Sequence, residues 1–143
     1  MSHTYIPREL RRRIAEQAGY RCGYCQTQET IVGSPMEIEH IVPEALGGVT
    51  TEDNLWLACS LCNRFKGARI AALDPMTGDM VSLFNPRIQI WREHFAWEER
   101  GALVVGQTPT GRATIVALRM NRVSLVRARE MWIKTGWHPP DER

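Results

Sequence analysis

The sequence has little that would mark a membrane or secreted protein. No stretch approaches the roughly 20 apolar residues of a membrane span, and the first residues carry no apolar signal-peptide run. No internal repeat and no low-complexity segment is visible. Charge of one sign is not in excess. Lys and Arg number 18 against 16 Asp and Glu, a formal net charge of +2 that says little about partners. Cysteine is scarce, and all four cysteines lie in two Cys-x-x-Cys pairs, Cys22/Cys25 and Cys59/Cys62. Together these absences predict a cytoplasmic protein with reduced thiols and no membrane partner. At 143 residues, 43% hydrophobic and 24% charged, the chain reads as a single globular domain over 1–143 that buries an ordinary core.

The cysteine pairs are the most specific feature. A Cys-x-x-Cys knuckle aims two thiolates at one point, and two knuckles supply the four sulfurs of a tetrahedral zinc site. The 33 residues between the pairs exceed the usual ribbon spacing of roughly 15–20, so a folded insert is expected between them. Two disulfides or a redox pair are the competing readings. Nothing points to secretion, and no strand–CxxC–helix pattern is visible, which favours structural Zn2+.

The insert has its own order. Met36–Val42 alternates, with Ile38, His40 and Val42 on one side and Glu37, Glu39 and Ile41 on the other, and Pro43 ends it. Gly47-Gly48 marks a turn, and 54–58 (Asn-Leu-Trp-Leu-Ala) reads as a partner strand. Leu61, Phe65, Ala68 and Ala72 have helical spacing. Strand, long loop, strand, helix is the predicted local order.

In order along the chain stand Cys-Gly-Tyr-Cys at 22–25, Glu-Ile-Glu-His-Ile-Val-Pro at 37–43, Gly47-Gly48, Asp53-Asn54-Leu55 and Cys-Ser-Leu-Cys-Asn-Arg-Phe-Lys-Gly at 59–67. This series resembles the HNH nucleases, the ββα-metal endonucleases, in the version that carries a four-cysteine zinc site. The resemblance covers residues 20–67, about a third of the chain. It implies that Glu39 binds a catalytic divalent metal, that His40 is the general base, that Asn54 braces the loop and that Asn63 is a second metal ligand. Glu39 stands where aspartate is frequent, one methylene longer. Asn63 stands where the family name has histidine, and its amide oxygen is a harder ligand that tilts the site toward Mg2+ or Mn2+. The implied activity is metal-dependent hydrolysis of phosphodiester bonds in DNA, with RNA left open. The alternative is a zinc-stabilised nucleic-acid-binding module without catalysis, which would have no need of Glu39, His40 and Asn63 together.

The remaining elements are read from periodicity and punctuation. Residues 1–6 are expected to fray. A helix is expected from Pro7 to Gly19, with Leu10, Ile14 and Ala18 on its apolar stripe. Arg8, Arg11, Arg12 and Arg13 crowd its other faces, as a solvated surface or as phosphate contacts. Arg64 and Lys66, near the start of the helix after the second knuckle, carry the same two readings. Trp91–Trp97 and Ala102–Val105 flank Glu98–Gly101 as a β-hairpin, in which His94 reads as structural or surface. Two helices should follow, one from Thr108-Pro109 and one capped by Asn121 that runs to Lys134. On the last, Arg122, Arg127, Arg129 and Lys134 face outward. The expected fold is α+β: a treble-clef-like ββα-metal core at about 20–70 with its zinc site, an N-terminal helix, and a C-terminal hairpin plus two helices at about 80–136.

Overall fold

The computed structural model describes residues 5–141, so part of the segment expected to fray (residues 1–4) lies outside the described residues. Ile6 does not fray. It is buried with Ile14 and Leu55, against which Leu10 and Ile38 also pack. The described residues form two compact units. The first runs to Ile70 and takes in Asn85–Ile88; the second comprises Ala71–Phe84 and the chain from Gln89 onward.

The first unit opens with α1 (Arg8–Gln17), preceded by Pro7 and followed by Gly19 at φ 65°. Its stripe is the predicted one, with Ile14 and Ala18 buried. After a single helical turn, α2 (Glu29–Val32), come β1 (Glu37–His40) and β2 (Leu55–Ala58). They pair antiparallel, with Glu37 opposite Ala58 and His40 opposite Leu55. The connection between them turns at Gly47 (φ 88°) and Gly48. A Cβ on Gly48 would lie 1.7 Å from the Val42 carbonyl oxygen, so only glycine fits there. The helix α3 (Ser60–Lys66) follows β2 directly and completes a ββα unit.

Periodicity overran the end of α3. Ala68 and Ala72 continue its apolar spacing, yet Gly67 takes φ 58° and stops the helix, a conformation that costs glycine little. Ala71–Leu73 is instead a strand, β3, of the second unit, antiparallel to β4 (Met80–Ser82). The turn between them is organised by Asp74. Its carboxylate accepts both the Nε and an Nη of Arg112 at 2.9 Å, and also the Met76 amide and the Thr77 hydroxyl.

The hairpin is present but shorter than expected. Trp91–His94 forms a helical turn, α4, and only β5 (Phe95–Glu98) pairs with β6 (Leu103–Gly106). An aromatic cluster of Trp91, Phe95, Trp97 and Phe84 packs beside it. His94 is structural here, its Nδ1 2.7 Å from the Thr108 hydroxyl and its ring edge-on to Phe84. Thr108 caps α5 (Pro109–Ala117) by accepting the Gly111 amide. The last helix, α6 (Val123–Lys134), starts without an asparagine cap. Asn121 is used elsewhere: its side chain accepts from the Val104 amide and donates to the Val104 carbonyl, closing the end of β6. Arg129, expected on the outer face, is fully buried. Its guanidinium donates to the carbonyls of Ala102 and Met120 and to Asn121, and lies over Trp97. Fixed carbonyl acceptors replace water around these donors.

Candidate metal and catalytic site

Local hydrogen bonds shape both knuckles. The first is closed by backbone hydrogen bonds from the Cys22 amide to the Thr27 carbonyl and from the Gln26 amide to the Cys22 carbonyl, and the Tyr24 amide points at the Cys22 sulfur. The second lies at the start of α3, where Cys59 is the cap residue and its sulfur accepts the Cys62 amide. The four Sγ atoms lie within 4.8 Å of one another, and no disulfide joins them. Four thiolates about 2.3 Å from one zinc ion would stand about 3.8 Å apart along each edge of the tetrahedron. The Cys25–Cys59 pair already has that separation, 3.8 Å. Burial pushes the Cys22 thiol up, whereas hydrogen bonds from Cys22, Cys59 and Cys62 pull Cys25 down. Protons are therefore held unevenly across the cluster, and a bound cation would displace them all. The sequence expected these four ligands, and the fold brings them together.

Next to the cluster, β1 lies against α3. Alternation sends Glu37 and Glu39 to the same side of the strand, and residues 63 and 66 share one face of the helix. They meet in pairs. Asn63 Nδ2 donates to Glu37 Oε1 at 2.7 Å, and Lys66 Nζ lies 3.4 Å from Glu39 Oε2. Because a carboxylate can only accept, the Asn63 contact fixes the amide: nitrogen on Glu37, oxygen turned away. Among the described residues that amide oxygen has no hydrogen-bond partner.

Glu39 is 2% exposed. Its Oε1 accepts the Tyr24 hydroxyl, and its Oε2 is buried with no hydrogen bond. Burial raises its pKa, opposed by the charge of Lys66 and the hydroxyl of Tyr24. Tyr24 is itself raised well above the phenol range, first by burial and then by the Glu39 charge.

Lys66 departs from expectation. As a phosphate contact its ammonium would have to reach solvent, but the residue is 2% exposed. Nζ donates to the carbonyls of His40 (3.2 Å) and Ile41 (2.9 Å) as well as facing Glu39. Two carbonyl acceptors and the facing carboxylate charge hold the ammonium inside, so Lys66 is a brace between α3 and the end of β1.

His40 lies at the end of β1. Its Nε2 is 2.9 Å from the Thr50 hydroxyl and 3.0 Å from Glu44 Oε1. Both partners belong to the loop between the strands, and Asn54 holds that loop. The Asn54 side chain accepts the Val42 amide and donates to the carbonyls of Val42 and Val49, while its backbone carbonyl accepts from Ile41. Glu37, Glu39, His40, Glu44, Ser60, Asn63 and Arg64 line one cleft of about 1050 Å³.

The arginines are distributed unevenly. Arg64 is exposed at this cleft and, among the described residues, has no hydrogen-bond or ion-pair partner. Arg12 pairs with Glu9 and Glu16 on the surface of α1, and Arg13 with Glu52. Arg11 donates to the Ile6 carbonyl. Arg11 and Arg12 line a second, smaller depression beside Arg8, Met36 and Leu57.

Glu37, Glu44, Thr50 and Tyr24 are site neighbours that sequence reasoning did not single out. Glu37 had a legible signal, since it stands two residues before Glu39 on a strand and must share its face. Glu44 and Thr50 had none, because only the loop's path brings them to His40.

Among the described residues no helix is long and apolar enough to cross a membrane. No curated protein and no solved structure matches the chain. The stretch of residues 22–69, both knuckles and the ββα unit together, matches the family model described as HNH endonuclease, a family that acts on nucleic acids.

Proposed function

We propose that the chain is a divalent-metal-dependent endonuclease that hydrolyses phosphodiester bonds in DNA, with His40 as general base. One observation carries the reading. A histidine anchored through a single ring nitrogen shares a cleft with two oxygens that lack hydrogen-bond partners, Glu39 Oε2 and the Asn63 amide oxygen. Glu39 Oε2 faces the Lys66 ammonium at 3.4 Å without a hydrogen bond and so keeps accepting capacity, and carboxylate plus amide oxygens suit Mg2+ or Mn2+. When bound there, such a cation supplies charge neutralisation at the non-bridging and leaving oxygens of the phosphate.

The chain's own residues do the rest. His40 accepts a proton from water at neutral pH, as an imidazole can. Arg64, exposed at the cleft, offers a guanidinium to a flanking phosphate. Arg12 can join it, because exposed ion pairs such as those with Glu9 and Glu16 are worth only about 0–1 kcal/mol and exchange readily. Arg11, which lines the depression on α1 with Arg12, adds charge there. Cys22, Cys25, Cys59 and Cys62 hold structural Zn2+, which fixes the start of α3 and hence Asn63. The ββα unit, which belongs to the first compact unit, carries the chemistry.

One observation favours a second reading, a binding module without catalysis: Glu39 is already engaged by Lys66 and Tyr24. Metal dependence separates the two. In the nuclease, Glu39→Ala and Asn63→Ala lose cleavage and recover part of it at high Mg2+ or Mn2+. Wild-type protein that binds DNA but never cuts it at any metal concentration would leave the binding module standing.

A further inference from the structure

Nε2 of His40 faces two groups of different kinds. The Thr50 hydroxyl at 2.9 Å can donate or accept, so by itself it would tolerate either form of the neutral ring. The Glu44 carboxylate at 3.0 Å can only accept. A ring with its lone pair on Nε2 would put that lone pair against carboxylate charge, whereas a ring with its proton on Nε2 makes a hydrogen bond. Nδ1 has no partner among the described residues. We propose that Glu44 is the positioning residue of His40: it holds the imidazole as the Nε2–H tautomer and leaves the Nδ1 lone pair as the atom that accepts the proton from water.

This rests on the nuclease reading for its purpose, but not for its geometry. The loop explains why Glu44 can serve. It follows Pro43 in a short 3₁₀ turn, Glu44–Leu46, that ends at Gly47 with φ 88°. Asn54 ties Val42 and Val49 at the two ends of this turn. Glu44 is thereby presented to the ring by a fixed piece of backbone while its side chain is still a third exposed. Losing that carboxylate leaves the fold's core untouched but leaves Thr50 as the sole partner of Nε2. Its hydroxyl can then donate to an unprotonated Nε2, a choice that places the proton on Nδ1 and removes the base.

The test reads the tautomer directly. Imidazole ¹⁵N spectra of the full chain, zinc-loaded and at about pH 8.5 where an ordinary histidine is neutral, should show His40 as Nε2–H. Assignment comes from loss of the signal in His40→Ala. In Glu44→Ala the population should move toward Nδ1–H, and in Glu44→Gln, whose amide oxygen still accepts, it should stay largely Nε2–H. The same variants read by cleavage should show kcat reduced on the order of 10²-fold in Glu44→Ala, the lower end of general-base catalysis. KM should be little changed, and Glu44→Gln should be substantially rescued. A wild-type ring found as Nδ1–H overturns the proposal, as does a tautomer that does not move in Glu44→Ala. If the spectra behave as stated while wild-type protein cuts no nucleic acid, the positioning role stands and the nuclease reading is the one that fails.

Discussion

Lys66→Ala is the substitution on which surface and interior roles diverge most. In the wild type, Nζ serves two carbonyls and faces a carboxylate that is itself 2% exposed. Removing one partner of a buried pair typically costs about 3–5 kcal/mol, because the other charge is left without compensation. Here Glu39 would keep only the Tyr24 hydroxyl, and the His40 and Ile41 carbonyls would lose their donor. For a chain of this size, about 2–4 °C of melting temperature per kcal/mol places the loss on the order of 10 °C. The assay is thermal unfolding of zinc-loaded protein, together with the salt dependence of DNA binding measured without catalytic metal. A phosphate contact would contribute about −0.9 to the log–log slope, so its removal would flatten the slope by about one. The buried position predicts a large drop in melting temperature and a slope that hardly moves. A melting temperature within about 1 °C of wild type, with the slope flattened by about one, would refute the reasoning. Lys66→Met combined with Glu39→Gln adds a check. It removes both charges and keeps both volumes, so it should be clearly more stable than Lys66→Ala.

Two further outcomes are expected. Zinc should be stoichiometric with folded protein, and Cys59→Ala or chelation should lower the melting temperature because metal-binding energy is folding energy here; folded protein with no zinc by elemental analysis would contradict this. Asp74 is held well below the usual carboxylate range, chiefly by its hydrogen bonds from Arg112. A depressed folded-state pKa stabilises above the unfolded value and is lost on acidification, so stability should fall as pH drops below about 4. Asp74→Asn should be less stable at neutral pH and show a flatter acid limb; an unchanged acid limb would remove Asp74 from the explanation.

The ββα unit and its ligands were legible because their signals are local. Knuckle spacing, strand alternation and paired glycines each act over a few residues, and together they placed Cys22, Cys25, Cys59, Cys62 and the order of β1, β2 and α3. What was missed depends on contacts between distant residues. Hydrophobic spacing carried α3 through Ala72 because a period cannot register that Gly67 turns to positive φ. Arg129 read as a surface arginine on charge alone, whereas in the fold the Ala102 and Met120 carbonyls receive its donors. Lys66 shows the same limit in the site itself. Its place near the second knuckle gave no sign that the His40 and Ile41 carbonyls and the Glu39 carboxylate converge on it. Arg64, two residues earlier on another face of α3, is exposed at the cleft and has no hydrogen-bond or ion-pair partner among the described residues.

The most direct measurement is incubation of zinc-loaded protein with supercoiled plasmid, with and without added Mg2+ or Mn2+, for wild type and His40→Ala side by side. Wild type should nick or linearise the plasmid only when the divalent metal is added. His40→Ala, with its zinc content, melting behaviour and DNA binding retained, should be slower by roughly 10²–10⁴, and excess metal should not restore it, since no cation replaces a proton acceptor. Plasmid left intact by wild type at saturating metal, or cut by His40→Ala as fast as by wild type, would contradict the assignment.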